Sequence, residues 1–198
     1  MTDPAPITAS SLVRVDYHTF ELADSDKRVP TGFDTSNGLV FSLPGQVVIC
    51  TGISAGWVTV SVEVRRYPPE RVDTDAWDEI VDHSVETTNG ALRVASVMSD
   101  TPDLPVLTPQ GPGTYRVRVH ARGRDTVPDG AVDEPVEEYL LIVWPTDRQP
   151  DQIHRQSGHY GAQLRAQPSR PAPPVPTAQG DDGIRRRMRE RLQRRRTP

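Results

Sequence analysis

Between Gly111 and Trp144 the chain leaves itself little freedom of architecture. After the turn residues Gly111-Pro112-Gly113, the apolar Tyr115, Val117, Val119 and Ala121 alternate with Arg116, Arg118, His120 and Arg122. A period of two marks a half-buried strand, and it predicts the apolar set on a core and the cationic set in water. A polar loop follows, and then the unbroken apolar run Tyr139-Leu140-Leu141-Ile142-Val143-Trp144, which Pro145 stops. Such a run predicts a strand covered on both faces. The two segments make an antiparallel pair, most simply the centre of a β-sandwich.

The preceding chain supplies partners of the same kind. Leu12 to Leu22 reads as a first strand carrying Tyr17-His18-Thr19-Phe20. Gly38 to Ser42 reads as a short strand, and Val47-Val48-Ile49-Cys50 as one buried on both faces. Trp57 to Arg65 alternates, with Val58, Val60, Val62 and Val64 on one side. Trp77 to Glu86 and Leu92 to Met98 flank Asn89-Gly90, the dipeptide most characteristic of a tight hairpin, so these two segments are expected to pair. The tally is about eight strands, which predicts an all-β, antiparallel sandwich or jelly-roll-like domain. Nothing alternates strand with helix, which argues against a nucleotide-binding parallel sheet.

Charge divides the chain in two. Residues 1–147 hold 11 Lys+Arg against 23 Asp+Glu, a net of −12, whereas residues 148–198 hold 12 against 4, a net of +8. The expected organisation is a flexible N-terminus (1–10), a sandwich (11–147), a polar and Pro-rich linker (148–180) and an Arg-rich amphipathic helix (181–198). The linker takes its stiffness from Pro168, Pro171, Pro173, Pro174 and Pro176. In the last segment Ile184, Met188 and Leu192 fall on one helical stripe. The rest of it is dominated by Arg185, Arg186, Arg187, Arg189, Arg191, Arg194, Arg195 and Arg196, a density that points to an anionic partner: nucleic acid, a membrane surface or an acidic protein. In the body, Asp125, Asp129, Asp133, Glu134, Glu137 and Glu138 form an acidic stretch. Its ordinary role is solubility and edge protection; its functional reading is a patch that docks a basic protein surface.

No catalytic signature is present: there is no G-x-S-x-G, P-loop, H-E-x-x-H or C-x-x-C. The expectation is therefore a protein that is not an enzyme and uses no cofactor or metal. His18, His83 and His120 lie on three predicted strands, and spacing does not bring them together. Asp73, Asp75 and Asp78 read as a solvated turn rather than a cation loop, for want of a ligand-spaced glycine and a terminal Glu. Cys50, the one cysteine, sits in an apolar run and reads as a small buried hydrophobe; a lone cysteine fits a reducing compartment. Met1 to Ser11 lacks the basic and apolar regions of a signal peptide, and no run approaches the ~20 apolar residues of a membrane helix. A cytoplasmic protein is expected.

Several of these stretches together resemble the competence protein J family, inhibitors of a bacterial DNA-entry nuclease. Tyr17-His18-Thr19-Phe20 is similar to the family's Tyr-His-x-Phe opening, and Asn37-Gly38-Leu39-Val40-Phe41 to its next short strand. Asn89-Gly90 with Ser96-Val97-Met98-Ser99 resembles its Asn-Gly turn and Ser-x-Met-Ser strand end. Gly113-Thr114-Tyr115 and Glu138-Tyr139-Leu140-Leu141 match its late strands in position. The likeness covers about residues 10–145 and implies a non-enzymatic β domain that binds and inhibits a nuclease. The Pro-rich linker and the arginine helix have no counterpart in the family's short members. The alternative is an adaptor, anchored to nucleic acid or another anionic surface by the Arg-rich segment.

Overall fold

The computed structural model describes residues 5–24, 33–43, 46–96, 98–99 and 101–168. The Pro-rich stretch from residue 169 and the arginine segment 181–198 lie outside the described residues. The elements are β1 (Ile7–Asp16), β2 (Thr19–Ala23), β3 (Val40–Leu43), β4 (Gln46–Cys50), β5 (Ala55–Val64), β6 (Glu79–Thr87), β7 (Arg93–Ala95), β8 (Gly113–Arg122), β9 (Ala131–Val132), β10 (Glu138–Pro145), β11 (Gln152–Gln156) and α1 (His159–Ala166). The mostly-β expectation holds, with eleven described strands where about eight were expected.

All eleven strands join one mixed sheet in the order β11-β6-β8-β10-β5-β1-β2-β4-β3, with β7 on β2 and β9 on β5. The expected central pair is there, β10 running antiparallel to β8 from Glu138↔Arg122 to Pro145↔Tyr115. The other edge of β10, however, pairs in parallel with β5 from Glu138↔Thr59 to Val143↔Val64, so the sheet is not antiparallel throughout. Between β1 and β2 the ladder is one pair long, Asp16↔Thr19, and there the sheet turns over on itself. Val13, Val58, Val60, Val117, Val119 and Leu141 from one half then pack against Phe20, Leu22, Val47, Ile49 and Val94 from the other. The layering of a sandwich thus comes from one curled sheet. Val48 and Cys50 point the other way, under Phe33 and Leu164, so β4 is buried on both faces as its composition predicts.

Three expectations fail in instructive ways. Leu12 to Leu22 is broken at Tyr17-His18, whose φ values of 56° and 61° are the left-handed geometry of a type I′ turn. Asn89-Gly90 does not join a hairpin: β6 pairs with β8 and β11, and β7 pairs with β2. Of that dipeptide Gly90 alone has a positive φ, 68°, which is not the type I′ conformation a two-residue hairpin requires.

The third failure is the cationic face of β8. Arg116, Arg118 and His120 are 2%, 6% and 2% exposed, not in water. The segment expected to begin a linker returns to cover Arg116 and then pairs with the edge of β6 as β11, followed by α1, while Trp77 packs on His120. Arg118 forks onto Asp82 at 2.6 and 3.0 Å and lies 5.3 Å from the Trp144 ring centre. Arg116 donates to the Gln149 and Pro150 carbonyls at 2.9 and 2.7 Å, fastening the returning chain. Burial pushes His120 down to about 4, so it stays neutral against Trp77 at neutral pH. The folded body therefore takes in β11 and α1, beyond the expected boundary at 147, and β1 begins at Ile7, inside the expected flexible N-terminus.

Candidate partner-docking surface

The Tyr17-His18 corner is the natural place to look for function. A left-handed conformation costs a non-glycine residue about 1–2 kcal/mol, and such strain gathers at functional sites. Among the described residues only Tyr17, His18 and Asp129 pair a side chain with a positive φ, and all three line one cleft. The surrounding backbone enforces the geometry. His18 N–H donates to the Ser54 carbonyl at 3.1 Å, and its own carbonyl accepts from Thr51 N–H at 2.8 Å. Asp129 N–H donates to Gly52 O at 2.9 Å, and Ser54 N–H to Gly130 O at 2.8 Å. The loop of residues 51–54 is thus clamped between the corner and the acidic loop.

The cleft holds about 310 Å³ and is walled by Tyr17, His18, Phe33, Asp129, Tyr160 and Leu164. Tyr17 stands 63% exposed at its edge. Tyr160 stacks on His18, with its hydroxyl 3.2 Å from Nδ1, and the Arg124 guanidinium lies 5.1 Å from the Tyr160 ring centre. Burial pushes the Tyr160 hydroxyl up to about 12. Beneath lies a buried knot in which Glu79 holds Arg124 and Arg165, the latter at 3.1 Å, tying α1 to the sheet. Cys50 lines the floor, and burial pushes its thiol up to about 11, which leaves it protonated and inert at neutral pH, as its apolar surroundings predict.

The six acidic candidates separate. Asp129, Asp133 and Glu134 are exposed, the first of them on the cleft rim. Glu138 is exposed but paired with Arg122 at 2.6 Å. Asp125 accepts from the His159 and Tyr160 N–H groups at 2.8 and 2.7 Å and so caps α1, where the helix dipole also favours its charge. Glu137 is the correction. It is 1% exposed and accepts from Gly52 N–H, Ile53 N–H and the Tyr139 hydroxyl, so it braces the 51–54 loop and presents nothing to a partner. Strand parity carried that signal, since Glu137 is in phase with the inward-facing Tyr139 and Leu141. The three histidines go to separate places: His18 to this corner, His83 and His120 to opposite faces of the β6/β8 ladder, where His83 pairs with Val117 and His120 with Ile80. Asp73 accepts from Asp75 N–H in a local turn, and Asp78 accepts from Gly123 N–H. The eight candidate arginines from Arg185 to Arg196 lie outside the described residues. Among the described residues, no helix is long and apolar enough to cross a membrane.

No family model matches the chain, and no curated protein matches it. Among solved structures, the chain is similar to ComJ from Bacillus subtilis, described as an inhibitor of the DNA-degrading activity of NucA. That likeness has a TM-score of 0.47 at 15% identity and covers 74% of this chain and 100% of the other. A second structure, described as crocagin biosynthetic gene J, is similar with a TM-score of 0.41 at 17% identity, covering 72% of this chain and 99% of the other.

Proposed function

We propose that the chain is a protein-binding module that docks a basic partner through the Tyr17–Asp129 end of its curled sheet, and that the partner is a nuclease. The observation that carries this is the exposed, strained Tyr17-His18 corner, held rigid by loop 51–54 and rimmed by Asp129, Asp133 and Glu134. An exposed aromatic on a held backbone, with a charged rim, suits an interface: the ring supplies the anchor, the rim the steering. A nuclease cleft is basic because it holds phosphates, so an acidic body enters its field and blocks DNA. The family resemblance of Tyr17 to Phe20 and of the later strands implies the same class of partner.

The test is plasmid cleavage by a DNA-entry-type nuclease as the full-length chain is titrated in, at low and high salt. Inhibition is expected to be competitive with DNA and to fade as salt rises. Reversing charge at Asp133 and Glu134 should slow association about tenfold at low salt while leaving dissociation nearly unchanged. Undiminished cleavage with the chain in large excess overturns the proposal.

A further inference from the structure

At the far end of the β2/β4 ladder from the docking cleft, three segments distant in sequence bring a hydroxyl, an imidazole and a carboxylate into line. Ser42 stands on β3 in phase with the core residue Val40, so its side chain turns towards β6 at the mouth between the two halves of the sheet. Its Oγ lies 2.8 Å from Nε2 of His83. The other ring nitrogen of His83, Nδ1, lies 2.7 Å from Oδ1 of Asp151. A carboxylate only accepts, so Nδ1 carries the proton and Nε2 presents its lone pair to the Ser42 hydroxyl.

The carboxylate is itself held. Asn37 Nδ2 donates to Asp151 Oδ2 at 2.7 Å, and Asn37 is buried and fixed by its own bonds to the Leu39 and Val40 N–H groups. Arg116 grips the two preceding carbonyls, Gln149 and Pro150, so a buried guanidinium sets where Asp151 begins. Burial would raise the Asp151 carboxyl, but hydrogen bonds from His83 and Asn37, with the charge of Arg116, hold it below the usual range. Ser42 is exposed, whereas the His83 side chain is 13% exposed: an accessible nucleophile beside a sheltered base. The hydroxyl opens onto a cleft of about 350 Å³ whose lining is mixed, with Leu43, Gln46 and Ser84 beside the charged Asp24, Glu86 and Arg148. A fastening of the returning chain onto β6 needs only the Asp151–His83 bond. It does not call for a serine at the exposed end of the line.

We infer that Ser42, His83 and Asp151 form a Ser-His-Asp relay that hydrolyses small carboxylic esters. The geometry has the nucleophile-to-base and base-to-carboxylate reach that such relays use on unrelated folds. Ser42 Oγ adds to the ester carbonyl as its proton passes to His83 Nε2. The C–O bond to the alcohol then breaks, and the alcohol leaves with that proton. Water, deprotonated by His83, attacks the acyl-serine and releases the acid, restoring the Ser42 hydroxyl. Ser42 and His83 are the catalytic residues; Asp151 is a positioning residue that fixes the tautomer of His83. Val47, Val85 and Leu92 lie buried beneath the cleft, and Asp24, Glu86 and Arg148 supply its charge.

The experiment treats the full-length chain with a fluorophosphonate probe, maps the adduct by mass spectrometry, and follows p-nitrophenyl butyrate hydrolysis in parallel. A single lysine keeps amine background small. An adduct on Ser42 is expected, absent in Ser42→Ala, with His83→Gln slowing both reactions at least ~100-fold. Asp151→Asn should slow them at least ~10-fold and displace the pH–rate profile while thermal unfolding stays that of a folded protein. Folded wild-type chain without a Ser42 adduct, or equal rates in wild type and His83→Gln, overturns the relay. Because Ser42 is exposed on an edge strand, Ser42→Ala keeps the fold and leaves the nuclease-docking reading untouched.

Discussion

Two of the corners that carry the chain between the halves of the sheet are built in opposite ways. At Tyr17-His18, β1 passes to β2 through two side-chain-bearing residues in the left-handed region. At Asn89-Gly90, β6 passes towards β7 with one left-handed residue, a glycine, and with Asn89 N–H and Ala91 N–H held by the Asp24 carboxylate at 2.6 and 2.7 Å. The second corner uses the residues that turn chemistry favours and is relaxed. The first uses residues that turn chemistry disfavours and is strained, with an exposed aromatic at its tip. The difference teaches that the easy solution was available to this chain and is absent where an exposed Tyr and an acidic rim meet.

The largest effect lies at the relaxed corner. Gly90→Ala places a Cβ within 2.6 Å of Gly111 Cα, at a φ of 68°, so strain and backbone overlap act together. A loss of about 2–4 kcal/mol is expected from those two costs, read as a lower urea midpoint. A loss below ~1 kcal/mol would mean that the corner yields, and the contrast with Tyr17-His18 would weaken. Next comes Tyr17→Ala. It should leave stability within ~0.5 kcal/mol, since the ring is largely in water, yet weaken partner binding by about 2 kcal/mol, chiefly through faster dissociation in surface plasmon resonance. The smallest effect sharpens the contrast. Replacing Tyr17-His18 by Asn-Gly should raise stability by about 1 kcal/mol as strain is relieved, offset by the lost His18–Tyr160 contact, while binding falls. A variant neither more stable nor weaker in binding would remove the functional reading of the strain.

Much of the core was legible because side-chain parity alone sets a strand's inward face. Val58, Val60, Val62 and Val64 point inward as their alternation requires, and so do Tyr115, Val117, Val119 and Ala121. Parity says which residues share a face but not what covers it. Arg116 reads as solvent-facing because the segment that buries it is polar and lies beyond Pro145, and that segment supplies carbonyl acceptors rather than a solvated linker; Arg118 and His120 are met by Asp82 and Trp77. Helix α1 escaped notice because its inward contacts rest on little more than Tyr160 and Leu164, too few for a periodic pattern over eight residues. Its cap is supplied by Asp125 from a distant loop, so no local start signal exists. The Ser42–His83–Asp151 line was hidden for the same reason: its three members belong to segments that meet only through tertiary pairing.

The parallel seam between β5 and β10 has a consequence for how the protein comes into being. Its partners lie about eighty positions apart, Thr59 with Glu138 and Val64 with Val143, and no tight turn closes such a pairing. During synthesis β1 is available to β5 from the start, whereas the other edge of β5 waits for β9 and β10 to leave the ribosome. Loop-closure entropy delays a seam of this kind, so refolding is expected on the slow side for a chain of this size, with the seam forming in the rate-limiting step. Until it forms, the valine-rich edge of β5 is the surface on which a half-made chain would aggregate.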